Sequence, residues 1–234
     1  MKYLISFLFL ALAFSMKSEA KVTLPSILGD NMVLQQQAEV KLWGKARPNA
    51  TVTVKTSWNG QTCKFSSDGK GGWSLTVSTP VAGGPYKIIF NDGELLTLQN
   101  VLIGEVWFCS GQSNMEMPMG GFDRQPVRGT NDIIAKAKPS TPIRMYTTDS
   151  KDGRWVRQFS KTPVEDCQGE WLENTPVNVS HISAVSYYFA RYIQEVLEVP
   201  VGIVVSTWGG SRIEAWMSRE SIKPFSSIDL SILD

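Results

Sequence analysis

A run of ten residues, VLIGEVWFCS at positions 101–110, constrains the fold more than any other stretch. It is apolar almost throughout, which is typical of a central strand of a parallel sheet that is covered on both faces. VGIVVS at 201–206 has the same character, and PIRMYTT at 142–148 is a candidate third strand. Residues 183–199 carry a stripe at helical spacing, which predicts an amphipathic helix. The stripe consists of Val185, Tyr188, Phe189, Tyr192 and Val196.

Residues 21–102 have a different pattern, with short alternating segments separated by turn residues. Asn-Gly at 59–60 and Asp-Gly at 92–93 supply the positive φ values that tight hairpin turns require. These residues therefore predict a small antiparallel β-sandwich. Strands alternating with a helix predict an α/β domain with a parallel sheet over 103–234. The segment 119–180 is rich in loop-forming residues and, apart from the candidate strand at 142–148, gives no clear secondary-structure prediction. The strands expected in the first half are 51–58, 61–66, 73–77, 86–90 and 95–98.

The first twenty residues have the pattern of a secretory signal peptide. A positive charge at Lys2 precedes an apolar run at 3–14, and small residues occupy Ser18 and Ala20, the positions that a signal peptidase reads. We expect cleavage after Ala20 and a secreted or periplasmic protein, with no membrane association after cleavage. The run is too short for a stable transmembrane span.

Composition excludes several classes of function. The chain has 23 basic and 22 acidic residues without a basic cluster, so neither nucleic acid nor an anionic membrane surface is an expected partner. Cys63, Cys109 and Cys167 are too few and too widely spaced for a disulfide framework, although an oxidising compartment would permit one bridge. Cys109 is expected to be a small buried side chain. The spacing of histidines and cysteines indicates no metal site, and no cofactor is expected.

Two of the predicted strands end in loops of unusual composition. SGQSNM at 110–115 places Ser113 at the first turn of the next segment, near unpaired backbone N–H groups. TWGGS at 207–211 contains Gly209 and Gly210, which let the backbone approach a ligand closely. A helix N-cap would explain Ser113 alone, and a tight turn would explain the glycines alone. Because ligands bind beyond the carboxyl ends of such strands, the two loops together predict a ligand site.

Three stretches resemble one known family. GEVWFCSGQSNMEMP at 104–118 resembles the nucleophile block of the sialate O-acetylesterases, which are SGNH/GDSL hydrolases. The segment 182–218 is similar to their second hallmark block, and LPSILGDNMVLQQ at 24–36 to their usual opening. The resemblance implies an N-terminal β-sandwich followed by a three-layer, flavodoxin-like hydrolase domain. It also implies hydrolysis of O-acetyl esters on a sialic acid or a related sugar.

The resemblance assigns roles to individual residues. Ser113 would be the nucleophile, and its backbone N–H, with that of Gly209 or Gly210, would form the oxyanion hole beside Gln112. It also implies three pocket residues, namely Asn114, Trp208 and Glu214.

The family's general base lies on an Asp-x-x-His element, which these residues lack. The chain has a single histidine, His181, and position 178 is Asn. An exposed or helix-capping role is favoured for His181 over a catalytic one. We therefore expect a chain that is truncated at its C-terminus relative to the family and has an incomplete catalytic triad. Whether this chain is itself active is left open.

Two alternatives stay open. An acetylxylan-type esterase would need similar chemistry, so the sugar and the acetyl position are undetermined, as is the oligomeric state. A non-catalytic glycan-binding module would use Trp43, Trp58 and Trp73, although packing is the favoured role for these side chains. Packing in the core is likewise favoured for Trp107 over lining a sugar pocket.

Overall fold

The computed structural model describes residues 21–151, 154–155 and 164–228. The signal peptide expected at 1–20 lies outside these ranges. Within them, no helix has the length and apolar character needed to cross a membrane.

The first half of the chain contains seven strands, and β3 to β7 occur where short alternating segments and turn residues predict strands. They are β1 (Val33–Gln35), β2 (Glu39–Lys45), β3 (Thr51–Thr56), β4 (Thr62–Ser66), β5 (Gly72–Ser78), β6 (Gly83–Asn91) and β7 (Leu95–Gly111). β3 pairs antiparallel with β4 and with β6, and β6 pairs antiparallel with β7. β2 and β5 form a separate two-stranded antiparallel sheet. The three-residue strand β1 and the seven-residue strand β2 have no counterpart in the sequence-based prediction.

The small sheet and the larger sheet share one hydrophobic core. Leu42 and Trp73 of the small sheet are buried together with Val54, Ile88 and Phe90 of the larger one. Burying these side chains from both sheets supplies the main driving force for their packing. The sheets are therefore joined by apolar contacts, and the finer assignment of a β-sandwich stays a prediction.

Strand β7 is continuous over 17 residues, where the sequence suggests two strands. Its first part pairs with β6, and its last part, from Glu105 to Gly111, pairs in parallel with β12 (Val201–Thr207). β1 pairs in parallel with β7 at Leu102, Ile103 and Gly104. One strand thus crosses the boundary expected after residue 102, and the division into two domains stays a prediction.

The second half contains the remaining strands and the helices. They are α1 (Ser113–Glu116), α2 (Asn131–Ala135), β8 (Ile143–Thr147), β9 (Ser150–Lys151), β10 (Arg154–Trp155), β11 (Trp171–Glu173), α3 (Pro176–His181), α4 (Ala184–Leu197), β12, a 3-10 helix (Ile213–Trp216) and α5 (Arg219–Ile222). β12 lies between β7 and β8 and is parallel to both. β11 closes that edge of the sheet antiparallel to β8, and β9 and β10 pair separately. The result is a mixed sheet with parallel and antiparallel strands.

Helix α4 occurs where its periodicity predicts it, but its predicted apolar stripe is not the buried face. Tyr192 is 66% exposed and Val196 is 60% exposed, and the other three stripe residues are also exposed. The buried face consists of Ala184, Ser186, Tyr187 and Ala190. Small side chains let the helix approach β12 closely, so the helix packs through that face. The predicted helix is therefore confirmed, and its buried face is a different one from the apolar stripe.

The end of β7 is also less covered than its apolar run suggests. Phe108 is 66% exposed and Trp107 is 41% exposed, and successive side chains on a strand point to opposite faces. Trp107 meets Phe189 of α4 edge-to-face, with ring centroids 5.0 Å apart. The expected core position of Trp107 is thus wrong, because α4 covers its ring on one side only.

The three N-terminal tryptophans differ in their surroundings. Trp73 is buried in the core, and Trp58 donates from Nε1 to the Ser78 carbonyl at 3.1 Å and packs against Tyr86. Trp43 is 38% exposed. Packing accounts for Trp58 and Trp73, whereas Trp43 presents an aromatic surface to solvent.

Candidate active site

The two loops of unusual composition lie side by side. β7 and β12 stay in register to the pair Gly111 and Thr207, so both strands end at the same level. Beyond that pair, the Trp208 N–H donates to the Gly111 carbonyl at 3.0 Å, and Gln112 Nε2 donates to the Ser211 carbonyl at 2.8 Å. The structure therefore brings the serine turn and the diglycine turn together at the carboxyl edge of the sheet, where ligand sites form in α/β folds.

Ser113 is the first residue of α1 and is exposed to solvent. Gly111, at φ +156°, turns the chain from β7 toward the helix. The N-cap is Gln112, whose side chain makes no capping bond, so capping does not account for Ser113. Ser113 Oγ has a weak contact with Gln112 Oε1 at 3.5 Å. Its hydroxyl is accessible to a ligand from solvent.

Gly209 lies close to Ser113. A Cβ built on Gly209 would be 3.8 Å from the Ser113 Cβ and 2.9 Å from Glu116 Oε2. A larger residue at 209 would therefore require the Glu116 carboxylate, the end of a flexible side chain, to shift from this position. Gly209 is half-buried, whereas Gly210, at φ +78°, faces open space. The left-handed backbone at 210 favours glycine, and glycine at 209 leaves room for the Glu116 carboxylate.

Glu116 is a site residue that the sequence prediction missed. Its Oε2 accepts a short hydrogen bond from the Gly209 N–H, one of the two donors expected for an oxyanion hole. Glu116 stands three residues after Ser113, so the two share a side of the α1 turn. That spacing was the available signal in the sequence. The carboxylate ties the diglycine turn to the serine turn and occupies the Gly209 donor.

The remaining predicted site residues lie around this pair of turns. Asn114 is exposed on α1, and Trp208 is half-buried between β12 and the glycines. Ser211 Oγ donates to the Trp208 carbonyl at 2.7 Å and accepts from Trp216 Nε1 at 2.9 Å, which fixes the loop after the glycines. Glu214 is half-buried in the 3-10 helix beyond them.

His181 is separate from the serine. It is the last residue of α3 and is exposed, and among the described residues it makes no hydrogen bond with Ser113. It lines a cavity of about 140 Å³ together with Glu116, Thr147 and Asn178. In the part of the chain that the structure describes, Ser113 therefore has no histidine in position to take its proton.

The cysteines play no visible part in the site. All three are free thiols, each half-buried. Cys109 faces α4, and burial raises the pKa of its thiol, while a hydrogen bond with Ser186 acts in the opposite direction. A thiol with a raised pKa is a weak nucleophile near neutral pH. Cys109 therefore packs against the core as a half-buried side chain, where the sequence predicts a buried one.

Comparison with solved structures identifies the class of protein to which this fold belongs. The chain is similar in structure to a carbohydrate acetylesterase from Xanthomonas citri, with a TM-score of 0.77 and 34% sequence identity, covering 88% of this chain and 44% of that protein. The architecture is therefore that of a carbohydrate esterase fold. No protein-family profile matches the sequence.

The sequence comparison is more specific. Sialate O-acetylesterases from Homo sapiens and Pongo abelii are each 30% identical over 216 residues, which covers 85% of this chain and 39% of theirs. The enzyme from Mus musculus is 30% identical over 222 residues. The chain is a homologue of the sialate O-acetylesterases, which confirms the resemblance seen in its motifs. It spans about two fifths of the length of these relatives.

Proposed function

We propose that this chain carries the nucleophile half of a carbohydrate O-acetylesterase site, with Ser113 as the nucleophile. One observation carries the proposal: the exposed Ser113 hydroxyl and the diglycine turn meet at the carboxyl ends of two neighbouring parallel strands. The printed names of the relatives, sialate O-acetylesterase and carbohydrate acetylesterase, support an O-acetyl sugar as the substrate.

The proposed reaction has two steps. Ser113 Oγ attacks the acetyl carbonyl carbon and loses its proton to a base, and the C–O bond to the sugar breaks as the sugar oxygen takes a proton. This leaves an acetyl group on Ser113 and a free sugar hydroxyl. Water then attacks the acetyl carbonyl, acetate leaves, and the serine hydroxyl is restored.

The negative oxygen that forms in each step needs preorganised donors. The Ser113 N–H lies at the start of α1, where backbone N–H groups have no partner within the helix. Because Glu116 holds the Gly209 N–H, we assign the second donor to Gly210, with Gln112 beside it. Glu116 would then act as a positioning residue that keeps the diglycine turn in place. Asn114, Trp208 and Glu214 are the proposed surroundings of the acetylated substrate.

The base is the incomplete part of this site. A serine hydroxyl is a poor nucleophile near neutral pH unless a base takes its proton. No described residue supplies one in contact with Ser113 Oγ. These residues alone are therefore expected to hydrolyse esters slowly, since oxyanion donors and binding give only modest acceleration without the other catalytic groups. Added imidazole should raise the rate, because it supplies the missing base from solution.

The test is p-nitrophenyl acetate hydrolysis by this chain with and without imidazole. Imidazole hydrolyses this ester by itself, so the rate of imidazole without protein is subtracted from every measurement. Ser113→Ala should remove the protein-dependent rate that remains, while Ser74→Ala, an exposed serine on β5, should keep it. Equal rates for the parent chain and Ser113→Ala would refute the proposal.

A glycan-binding function is the second candidate, because Trp43 is exposed. It borders a shallow groove of about 420 Å³ together with Lys45 and Glu165. Exposed aromatic rings suit the apolar faces of sugars. Glycan binding that is lost in Trp43→Ala, combined with no Ser113-dependent hydrolysis, would favour this function over the esterase.

We also propose that the chain is exported, on the pattern of residues 1–20. N-terminal sequencing of protein recovered from outside the cytoplasm should begin at Lys21. A start at Met1 would contradict cleavage after Ala20.

A further inference from the structure

The cavity that contains His181 lies within reach of the proposed nucleophile. It opens at the carboxyl end of β8, where Thr147 is the last strand residue. β12 separates β8 from β7, and neighbouring strands are about 4.8 Å apart. The cavity therefore lies roughly 10 Å along the sheet edge from the strand that leads to Ser113. That distance suits one sugar ring whose acetyl group reaches the serine.

Glu116 connects the two places. Its side chain forms part of the cavity wall, and its Oε2 accepts the Gly209 N–H beside Ser113. The Glu116 side chain therefore reaches from the cavity to the diglycine turn after β12. A ligand that fills the cavity thus contacts the residue that positions the diglycine turn.

The lining of the cavity suits a sugar. Phe122, Leu172 and Ile182 provide apolar surface, and Asn178 and His181 provide hydrogen-bonding groups. Asn178 Nδ2 already donates to the Glu173 carbonyl at 2.8 Å, which fixes the amide. The volume of about 140 Å³ is several times the share of roughly 30 Å³ that one water molecule takes in the liquid. A pyranose ring, with apolar faces and hydroxyl edges, matches the chemistry of this lining.

The charge of the lining discriminates between sugars. Among the described residues that line the cavity, Glu116 is the acidic one and none is lysine or arginine. The carboxylate of a sialic acid would therefore meet the like charge of Glu116, with neither a lysine nor an arginine among these described lining residues to pair with it. Arg212 is exposed in the loop after the diglycine turn and is not part of this lining.

We propose that this cavity is the sugar subsite of the site at Ser113, and that it takes a neutral O-acetylated sugar in preference to an O-acetylated sialic acid. The inference rests on the proposed esterase function and names its substrate class. Phe122 and His181 are the residues that bind the ring, and Glu116 excludes the anionic sugar.

The test compares three esters, in the presence of imidazole: an acetylated methyl glucoside, an O-acetylated sialic acid and p-nitrophenyl acetate, which carries no sugar. The parent chain should favour the glucoside over the sialic acid by about tenfold or more in kcat/KM. In Phe122→Ala and His181→Ala, the ratio of glucoside to p-nitrophenyl acetate should fall by about tenfold. Phe225→Ala, an exposed phenylalanine outside the cavity, should keep the parent ratio.

Binding gives a second readout that does not depend on turnover. Saturation-transfer NMR with Ser113→Ala should show contact with the acetylated glucoside, and the added Phe122→Ala change should abolish it. Preference for the sialic acid ester, particularly if Arg212→Ala removes it, would overturn the inference. So would a glucoside signal that Phe122→Ala leaves intact. Loss of the proposed function has a different signature, since Ser113→Ala would then match the parent chain on every ester.

Discussion

Replacing Glu116 by alanine tests how the two turns are held together. The substitution removes the carboxylate that accepts the Gly209 N–H. A hydrogen bond to a charged group contributes about 1.5–3 kcal/mol to stability. Both residues are half-buried, so water can partly replace the lost bond and the lower end applies. We expect Glu116→Ala to lower the free energy of unfolding by about 1.5–2 kcal/mol.

Glu116→Gln separates charge from shape. The glutamine oxygen can still accept the Gly209 N–H, but charge-assisted hydrogen bonds are roughly twice as strong as neutral ones. The expected loss is therefore about 1 kcal/mol, half of that for alanine.

The assay is urea unfolding followed by tryptophan fluorescence. The dependence of the unfolding free energy on urea concentration should be the same for the parent chain, Glu116→Ala and Glu116→Gln, which shows that all three undergo the same transition. Glu170→Ala is the matched control, because Glu170 is an exposed loop glutamate. A loss of unfolding free energy in Glu116→Ala no larger than that in the control would show that this hydrogen bond does not hold the two turns together. An equal loss for the glutamine and alanine variants would refute the role of charge.

Three further predictions follow from burial and from one pKa shift. Tyr192→Ser should cost less than about 0.5 kcal/mol in urea unfolding, because the ring is 66% exposed; a loss above about 2 kcal/mol would restore the stripe to the core. Glu173→Ala removes the ion-pair partner of buried Arg144, whose Nη2 lies 3.1 Å from Glu173 Oε1. The substitution should lower the free energy of unfolding by about 2 kcal/mol, which is below the range for a fully buried pair because Glu173 is partly exposed. No measurable loss would contradict this expectation. Cys109 should react with a disulfide reagent at pH 8 more slowly than Cys63, with its rate rising as pH increases, because a raised pKa leaves less thiolate; equal rates would contradict this.

The strand-end site could be predicted because it depends on local pattern and one general rule. Two apolar strands joined through a helix are parallel, so their carboxyl ends share an edge. That rule places the Ser113 turn and the Gly209 turn at one edge of the sheet, and the observed order, with β12 beside β7, makes them neighbours. The glycines also had a local signal, because turns and close contacts select them. The sequence did not reveal that Glu116 occupies the Gly209 donor, since that contact joins residues 93 positions apart.

The packing of α4 and of β7 was harder to predict. Apolar periodicity shows that α4 is a helix, but the helix has a second arc of small residues, including Ala190, that fits the sheet more closely. Periodicity cannot tell which arc is buried. In β7, a run of apolar residues looks the same whether both faces are covered or one is open, and exposed Phe108 shows the difference. The join at residues 99–101 was missed because Asn100, at φ +54°, resembles a turn yet stays within the strand.

The most direct test of the central claim is acyl transfer to Ser113 itself. The chain is incubated with p-nitrophenyl acetate or a fluorophosphonate, and the modified residue is found by intact mass and peptide mapping. We expect one label per chain, on Ser113, which Ser113→Ala removes and Ser74→Ala keeps. A chain that carries the label on another residue, or that stays unlabelled at Ser113 with imidazole present, would contradict it.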